Sequence, residues 1–334
     1  MRHATKKRGY RIAVLAVLGA AALLSVLIGV SVGTVSLTLR EVVRAWLVAD
    51  DSTARLLVWH HRFPRVLTGG LVGVCLSLSG CLLQSVMRNR LASPSTIGVS
   101  SGAAFAGYFA LVAFPSYAHL LPIGAIFGAF ATTMLIYLLA WRQGVTPLRM
   151  ILSGLAVSAL FGAFNDIIRT AFSESLGNAS GFLVGGMNGA TWETFLLVLP
   201  WAAVGGLICL FLPTKLNILM LGDETANTLG LRVERVRFLL IVISSVLAGA
   251  AISAAGLIGF VGLIVPHIAR MIIGADHKYL LPASALLGFA LVSGCDTLGR
   301  IIVSPGEIPV SIILSLIGAP FFLWLLRTRD EGGA

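Results

Sequence analysis

Charged residues are scarce in this chain of 334 residues. They make up 11% of it, whereas hydrophobic residues make up 57%, and the mean hydropathy is +0.95. Soluble domains carry about 25% charged residues, so the composition excludes a soluble fold. It indicates a membrane protein.

Several chemical signatures are also missing. The histidines form no HExxH-type pattern, and no G-x-x-x-x-G-K-[ST] segment is present to cradle a nucleotide. The cysteines have neither metal-type nor redox spacing and fall within apolar runs: Cys75, Cys81, Cys209 and Cys295. We therefore expect no metal site, no cofactor and no catalytic activity in this chain, and energy for any driven process must come from a partner.

Long apolar runs fill most of the sequence. Runs of about 18 or more such residues predict spanning helices, because only a helix satisfies its own backbone hydrogen bonds in hydrocarbon. We predict about ten segments, one of them short and broken: 12–34, 64–86, 94–114, 119–140, 149–170, 192–212, 238–262, 264–273, 280–299 and 309–326. The predicted fold is an all-α polytopic membrane protein with a single transmembrane domain over 1–334. Five segments per half make the two halves inverted if they are related, as is common in transporters.

The positive charges predict the orientation. With residues 1–11 in the cytoplasm, most of the 24 Lys and Arg residues fall on the cytoplasmic side, and both termini lie there. The first apolar run is longer than that of a cleaved signal peptide, so we expect it to be retained. The net charge of +10 thus reflects orientation, and we expect no nucleic-acid partner.

Glycines and interrupted segments indicate how the helices are used. GxxxG spacing at Gly69–Gly73 and Gly124–Gly128 favours close packing of helices within the chain. Two apolar segments are interrupted, in "NRLASPSTIGVSSGAA" and in "GLIGFVGLIVPHIAR". Non-helical backbone at that depth must be buried in protein or line a cavity, so the interruptions suggest a pathway.

Few polar groups lie inside the predicted segments. Asp166 and Asp296 could couple transport to protons or sodium, but Arg169 and Arg300 follow them at helical spacing, which favours local ion pairs. The "GVSSG" segment around Ser100 matches the G-x-S-x-G nucleophile pattern, which requires a strand, a turn and a helix. A secondary transporter and a membrane-embedded enzyme are thus the competing hypotheses.

The cytoplasmic loop 213–237 contains a polar segment with helix-forming character. Asp223 is a plausible N-cap and Gly230 a natural terminator, which predicts a short surface helix between them. Such a helix needs a packing surface, either its own bundle or a docked cytosolic partner. The apolar residues expected to be presented are Leu221, Ala226 and Leu229.

Arginines on the predicted outer side are unusual, because positive charge is disfavoured there. Arg62 and Arg65 lie three residues apart at the start of a predicted helix, and Arg300 lies near the end of another. They are either exposed to solvent and lipid headgroups or bind acidic side chains of an external partner, for which the arginine fork is suited.

Taken together, the motifs resemble those of the FecCD-type permeases of bacterial ABC importers for iron-siderophores, haem and cobalamin. The resemblance covers essentially the whole chain, and its motifs are "RFPRVLTGGLVGVCLSLSGCLLQSVMRNRLASPSTIGVSSGAAFAG", "ANTLGL", "GLIGFVGLIVPHIARMIIGADHKYLLPASALLG" and "SPGEIPVSIILSLIGAPFFLWLLR". Four positions depart from the usual pattern: Arg90 and Leu257, where the family has proline, and Ala275 and Lys278.

The resemblance implies partners. They are two cytosolic ABC ATPase subunits, an extracytoplasmic substrate-binding protein and a second permease, either an identical copy or a paralogue, in the bacterial cytoplasmic membrane. We expect an iron-siderophore chelate as substrate, with haem or cobalamin as alternatives. Substrate-contact residues do not follow from the sequence, and the surrounding lipid is the remaining partner.

The resemblance also implies roles for three sets of residues. The cytoplasmic helix corresponds to the family's coupling helix, with Asp223, Glu224, Ala226, Leu229 and Gly230. The docking arginines for the binding protein are Arg62, Arg65 and Arg300. The cytoplasmic gate is formed at Asn89 and Leu91.

Overall fold

The computed structural model describes residues 2–33, 37–48, 52–114, 121–142, 144–173, 184–303 and 306–330. These residues fold into helices, and the part described contains no β-strand beyond one isolated bridge. The first six helices are α1, Arg2–Ser31; α2, Leu39–Leu47; α3, Thr53–Val86; α4, Val99–Ala113; α5, Leu121–Ala140; and α6, Pro147–Ala171. The others are α7, Trp192–Leu210; α8, Pro213–Leu219; α9, Asp223–Thr228; α10, Val233–Ala255; α11, Val261–Ile273; α12, His277–Ile302; and α13, Val310–Asp330.

Seven of these helices are long and apolar enough to cross a membrane, namely α1, α3, α5, α6, α7, α10 and α12. Three shorter apolar helices, α4, α11 and α13, lie between or after them. Each predicted segment falls on one of these helices, although residues 34 and 119–120 lie outside the described part. The all-α polytopic class is confirmed, whereas the number of crossings and the inverted relation of the halves stay predictions.

Several helix boundaries differ from the sequence prediction, and the differences in α3 and α10 have evident structural causes. Helix α3 begins at Thr53 rather than at residue 64, because Ser52 caps it and residues Leu56–Arg62 form a π-helical turn. Helix α10 runs over Val233–Ala255 rather than 238–262. Its start accommodates charged side chains through ion pairs, and it ends at Gly256, whose φ of +67° breaks the helix.

Glycines let three helices touch through their backbones. A Cβ on Gly73 of α3 would lie 2.0 Å from the carbonyl oxygen of Gly288 in α12. A Cβ on Gly80 would lie 1.9 Å from that of Gly262 in α11. Helices α11 and α12 therefore pack on α3 at distances that only glycine permits. The packing within the chain expected from the GxxxG spacing is confirmed at Gly73.

This contact predicts a large effect of a small substitution. We expect Gly80→Ala to lower the melting temperature of the purified protein, because overpacking a tight contact costs about 1–3 kcal/mol. Gly206→Ala in α7 is the matched control, since no atom lies within 4 Å of the position of its added Cβ. Equal losses in the two variants, measured by thermal unfolding in one detergent, would contradict the packing explanation.

The chain is not helical between α10 and α11. Phe260 has a φ of +66° there, and the segment packs against the connection that precedes α7. The N–H of Gly186 donates to the carbonyl of Ala255 at 2.9 Å, and a Cβ on Gly185 would lie 2.1 Å from the carbonyl oxygen of Leu257. The interruption expected in this segment is confirmed, and its backbone is partly buried in protein and partly borders a surface cavity.

Candidate functional site

The short helix α9 forms where the polar loop was predicted to form one. It follows Gly222, which has a φ of +105° and occupies the N-cap, so the prediction of Asp223 as N-cap is wrong by one residue. Its predicted end is confirmed, because Gly230 has a φ of +81°. The N–H of Leu231 donates to the carbonyl of Ala226 at 2.9 Å, which is the Schellman arrangement at a helix end.

One face of α9 is available to a partner. Leu221 and Leu229 are more than half exposed, and Glu224 is exposed beside them. Ala226, in contrast, is fully buried in the core. The expectation that Ala226 is presented on the surface is therefore wrong, because its methyl group is what packs α9 against its own bundle.

Asp223 is bound by Arg237, whose side chain is only 1% exposed. One guanidinium nitrogen of Arg237 donates to both carboxylate oxygens of Asp223, at 2.9 and 3.0 Å. The other donates to the Glu234 carboxylate at 2.7 Å and to the Val145 carbonyl at 2.8 Å. Because Val145 lies between α5 and α6, a single guanidinium ties α9 to α10 and to the α5–α6 connection.

Sequence reasoning did not single out Arg237. It stands directly before the predicted start of its span, where an arginine is ordinarily taken to mark the membrane edge. One signal was available in the sequence. A buried arginine is costly in free energy unless acceptors surround it, so an arginine beside an apolar run indicates that acceptors are nearby in the fold. Glu234 is at helical spacing, but Asp223 and Val145 are 14 and 92 residues away, so these two contacts became evident only from the structure.

The connection that contains the predicted gate residues contacts α9 through Arg88. Arg88, in the connection between α3 and α4, places a guanidinium nitrogen 3.6 Å from a carboxylate oxygen of Asp223. In the same connection the N–H of Leu91 donates to the side-chain oxygen of Asn89 at 2.9 Å. Arg90 is exposed and lines a cavity of about 330 Å³. The structure thus joins the predicted coupling helix to the predicted gate through the Arg88–Asp223 pair.

A second polar network closes the same end of the bundle. The Asp276 carboxylate accepts hydrogen bonds from Asn217 at 2.9 Å and from Arg11 at 3.4 Å. A ring nitrogen of His277 lies 2.7 Å from the Asn217 side-chain oxygen. Burial alone would raise the pKa of Asp276, but hydrogen bonds from Asn217 and the Lys278 N–H, with the charge of Arg11, hold that pKa below its usual value. The contacts of the ionised Asp276 carboxylate therefore stabilise the folded protein at neutral pH. This stabilisation is lost as the pH falls through the lowered pKa.

Arg65 is the centre of a network at the opposite end. Two of its nitrogens donate to the two carboxylate oxygens of Asp296, both at 2.9 Å, and a third donates to Glu307 at 2.8 Å. The side chain of Arg65 is 11% exposed and that of Glu307 is 29% exposed, whereas Asp296 is buried. A cavity of about 290 Å³ opens beside Arg65 and Glu307. Glu307 is therefore the member of the network that solvent or a partner can reach.

The other two predicted docking arginines are buried against the end of α1. Arg62 donates to the carbonyls of Val30 and Ser31, both at 3.0 Å. Arg300 donates to the carbonyl of Gly29 at 2.9 Å. The expectation of solvated or headgroup-bound side chains is wrong for both, because backbone acceptors of α1 occupy their guanidinium groups. The structure does gather the three arginines at one end of the bundle.

The two candidate membrane carboxylates differ. Asp166 lies 3.9 Å from Arg169, both side chains are exposed, and the expected local pair is confirmed. Asp296 lies 3.5 Å from Arg300, as the spacing suggested, but its shorter contacts are with Arg65. This second pairing could not be predicted from the sequence, because 231 residues separate the two partners.

The arrangement expected of an esterase-type serine is not found at Ser100. This residue is the second of α4, and the residues described before it form turns rather than a strand. Within the described part of the chain, no group of three or more His, Cys, Asp and Glu side chains could hold a metal ion.

An all-helical bundle with a helix interrupted inside it, and with charged networks at both of its ends, is the architecture of a multi-pass transport protein. The chain belongs to the FecCD transport family, whose model matches residues 21–328. This is a family of ABC transporter permease subunits, which are not catalytic themselves.

Curated relatives are similar over most of their length. The Fe(3+)-citrate import system permease protein YfmE of Bacillus subtilis is 37% identical, with 98% of each chain covered. The cobalamin import system permease protein BtuC of Halobacterium salinarum is 42% identical over 83% of this chain and 75% of its own. A solved structure of a metal-chelate type ABC transporter in an inward-facing conformation superposes with a TM-score of 0.84 at 33% identity, covering 95% of this chain and 99% of that one.

Proposed function

We propose that this chain is the permease subunit of an ATP-driven importer that carries an iron-siderophore chelate across the bacterial cytoplasmic membrane. The observation that carries the proposal is the likeness to the metal-chelate type ABC transporter over nearly the full length of both chains. The Fe(3+)-citrate permease relative, covered from end to end, supports iron as the metal. Both termini lie in the cytoplasm in this proposal, and a second permease, identical or paralogous, completes the pathway.

Helix α9 couples the bundle to one of the two cytosolic ATPase subunits, and the second permease binds the other. Its exposed face, with Glu224 and Leu229, enters a cleft of the ATPase, while Ala226 and Gly230 shape the helix and seat it on the bundle. Asp223 transmits the movement inward, because it is held by a buried guanidinium that also binds the α5–α6 connection. Binding and hydrolysis of ATP thereby bias an alternating-access equilibrium of the bundle.

The cytoplasmic gate lies in the α3–α4 connection. Asn89 and Leu91 close the inner end of the pathway, and the hydrogen bond between them fixes the turn. Arg88 connects this turn to Asp223, so movement of α9 reaches the gate through an ion pair of 3.6 Å. The pair is partly exposed and can break and re-form during the cycle.

The outer arginine network receives the substrate-binding protein. Arg65 is its contact residue, because it is paired with a partly exposed carboxylate, that of Glu307. An acidic side chain of the binding protein replaces Glu307 on Arg65, which preserves a charge-assisted hydrogen bond throughout. Arg62 and Arg300 contribute positive charge and hold the end of α1 in place.

Reconstituted transport tests this proposal. Proteoliposomes with the permease, the ATPase encoded beside it and a binding protein should accumulate a radiolabelled ferric hydroxamate only when ATP is present on the ATPase side. Vesicles with the permease alone are the control. Uptake at the same rate without the ATPase would instead establish an ATP-independent secondary transporter.

Cobalamin is the second candidate substrate, because the halobacterial relative that is 42% identical is a cobalamin import permease. Haem is a third, since the hemin transport system permease protein HmuU of Yersinia pestis is 38% identical over 90% of this chain and 91% of its own. The same vesicles distinguish the three. Labelled ferric hydroxamate, cyanocobalamin and haem are supplied in separate assays, and the substrate is the compound that accumulates when ATP is present.

A further inference from the structure

Helix α2 is a short amphipathic helix between the spanning helices α1 and α3. Its start is fixed by a capping box, in which the N–H of Thr38 donates to the Glu41 carboxylate at 2.8 Å. Neither the proposed coupling nor the proposed docking uses it. The helix is nine residues long, so it is too short to cross a membrane.

The surface of α2 has three sectors. Val42 and Ala45 are buried and pack on a small core formed with Val30 of α1 and two valines of α3. The next sector is apolar and open, because Trp46 is 55% exposed and Leu47 is 76% exposed. The third sector carries charge: Arg40, Glu41 and Arg44, all exposed.

Tryptophans place α2 at the edge of the hydrocarbon layer. Helix α7 has 19 residues, which gives a length of about 28 Å and matches a hydrocarbon core of about 30 Å. Trp192, its first residue, therefore marks the boundary. The ring of Trp192 lies 5.3 Å from that of Trp59, which in turn lies 6.4 Å from that of Trp46. Tryptophan is enriched at this level of membrane proteins.

Arg40 and Arg44 stand at the rim of the apolar sector. They are one helical turn apart and line, with Val43 and Leu47, a surface cavity of about 720 Å³. Within the described residues neither guanidinium has a hydrogen bond or an ion pair in the structure. Asp50 and Asp51 follow α2 in the sequence and lie outside the described part. A basic flank beside exposed Trp and Leu is the pattern of a helix lying in the membrane interface.

We infer that α2 is a lipid-binding helix in the membrane interface, at the end of the bundle opposite the N-terminus. Val43, Trp46 and Leu47 lie among the upper acyl chains, and Arg40 and Arg44 bind the phosphate groups of phospholipid heads. The occupant is a phospholipid because the open apolar sector lies at the depth of the Trp192 boundary, where lipid surrounds the bundle. This inference does not depend on the transported substrate or on ATP.

Depth-dependent quenching tests the apolar half. The native cysteines are buried, so a cysteine introduced as Leu47→Cys can be labelled with a polarity-sensitive fluorophore in the full-length protein. In vesicles of phosphatidylethanolamine and phosphatidylglycerol, lipids carrying a nitroxide near the top of the acyl chain should quench this label. Asn227→Cys on α9, which is exposed and at the other end, should remain unquenched. The inference is overturned if the label at position 47 is not quenched. That result would mean that a second copy, a protein partner or water surrounds this position instead of lipid.

A thermal-shift series tests the charged half. Phosphatidylglycerol should raise the melting temperature of the wild type more than that of the double variant Arg40→Gln, Arg44→Gln. Arg169→Gln is the matched control, because Arg169 is exposed at the end of α6 and should keep the full gain. An equal gain in the double variant overturns the headgroup contact. Inorganic phosphate reproducing the gain without lipid overturns phospholipid as its source.

Discussion

Replacing Arg237 with methionine is expected to abolish ATP-dependent uptake and to lower the stability of the protein. Methionine fills the space of the side chain but removes the donor from Glu234 and the Val145 carbonyl and leaves Asp223 with the more distant Arg88. Removing one partner of a buried ion pair costs about 3–5 kcal/mol, which partial hydration of the two carboxylates reduces here. Melting temperature, ATP hydrolysis and uptake should be measured together in nanodiscs and proteoliposomes.

Two further variants separate loss of coupling from loss of folding. Arg88→Gln cuts the link from Asp223 to the gate and leaves the buried network intact, so uptake should fall while ATP hydrolysis and melting temperature persist. Arg235→Gln removes an exposed arginine two positions from Arg237 and should behave as wild type. Normal uptake by an Arg88→Gln protein would show that the gate is driven by another route.

The double variant Arg65→Gln, Asp296→Asn is expected to lose the binding protein while keeping its fold. Paired amides can retain hydrogen bonds in place of the buried ion pair. Arg300 loses its ion pair with Asp296 but keeps its hydrogen bond to the Gly29 carbonyl, so a moderate loss of stability is expected as well. A docking carboxylate loses a charge-assisted hydrogen bond worth about 1.5–3 kcal/mol, which corresponds to roughly 10- to 150-fold in affinity. Binding of the substrate-binding protein to nanodiscs measures the loss directly.

Glu307→Gln should have the opposite effect. It removes the internal carboxylate that competes for Arg65, so the binding protein should dock more tightly than on the wild type. Glu41→Gln is a control, because Glu41 is exposed and forms its contacts with Thr38. If neither the Arg65 variant nor the Glu307 variant changed the affinity for the substrate-binding protein, the network would serve only to stabilise the fold.

The sequence predicted the positions of the helices well because apolar runs report burial directly. Each predicted segment lies on a helix, and the short polar helix was placed within one residue of its start. The ends of the helices were less predictable where tertiary contacts neutralise a charged side chain. Arg237, for example, belongs to a helix that begins at Val233. A sequence pattern shows that an ionised side chain in an apolar run is costly to bury. It does not show which distant residue forms the ion pair that offsets this cost.

The candidate sites were predicted as residues rather than as contacts. Arg65 was identified, but its partner Asp296 was assigned to Arg300 because only neighbours at helical spacing can be paired from one sequence. Ala226 was expected on the surface because a six-residue helix has too few positions to establish which face is buried. Both errors concern which neighbour a side chain meets, and packing alone determines that.

The distance along the chain between Arg65 and Asp296 has a consequence for biosynthesis. A ribosome must add 231 further residues after Arg65 before its buried carboxylate exists. Until then the arginine is without this partner, and lipid phosphates and water at the membrane surface must solvate it. The first helices therefore enter the bilayer in a provisional arrangement, and synthesis of α12 allows the final ion pair to form. Nascent chains that stop before α12 should be substrates for membrane quality control.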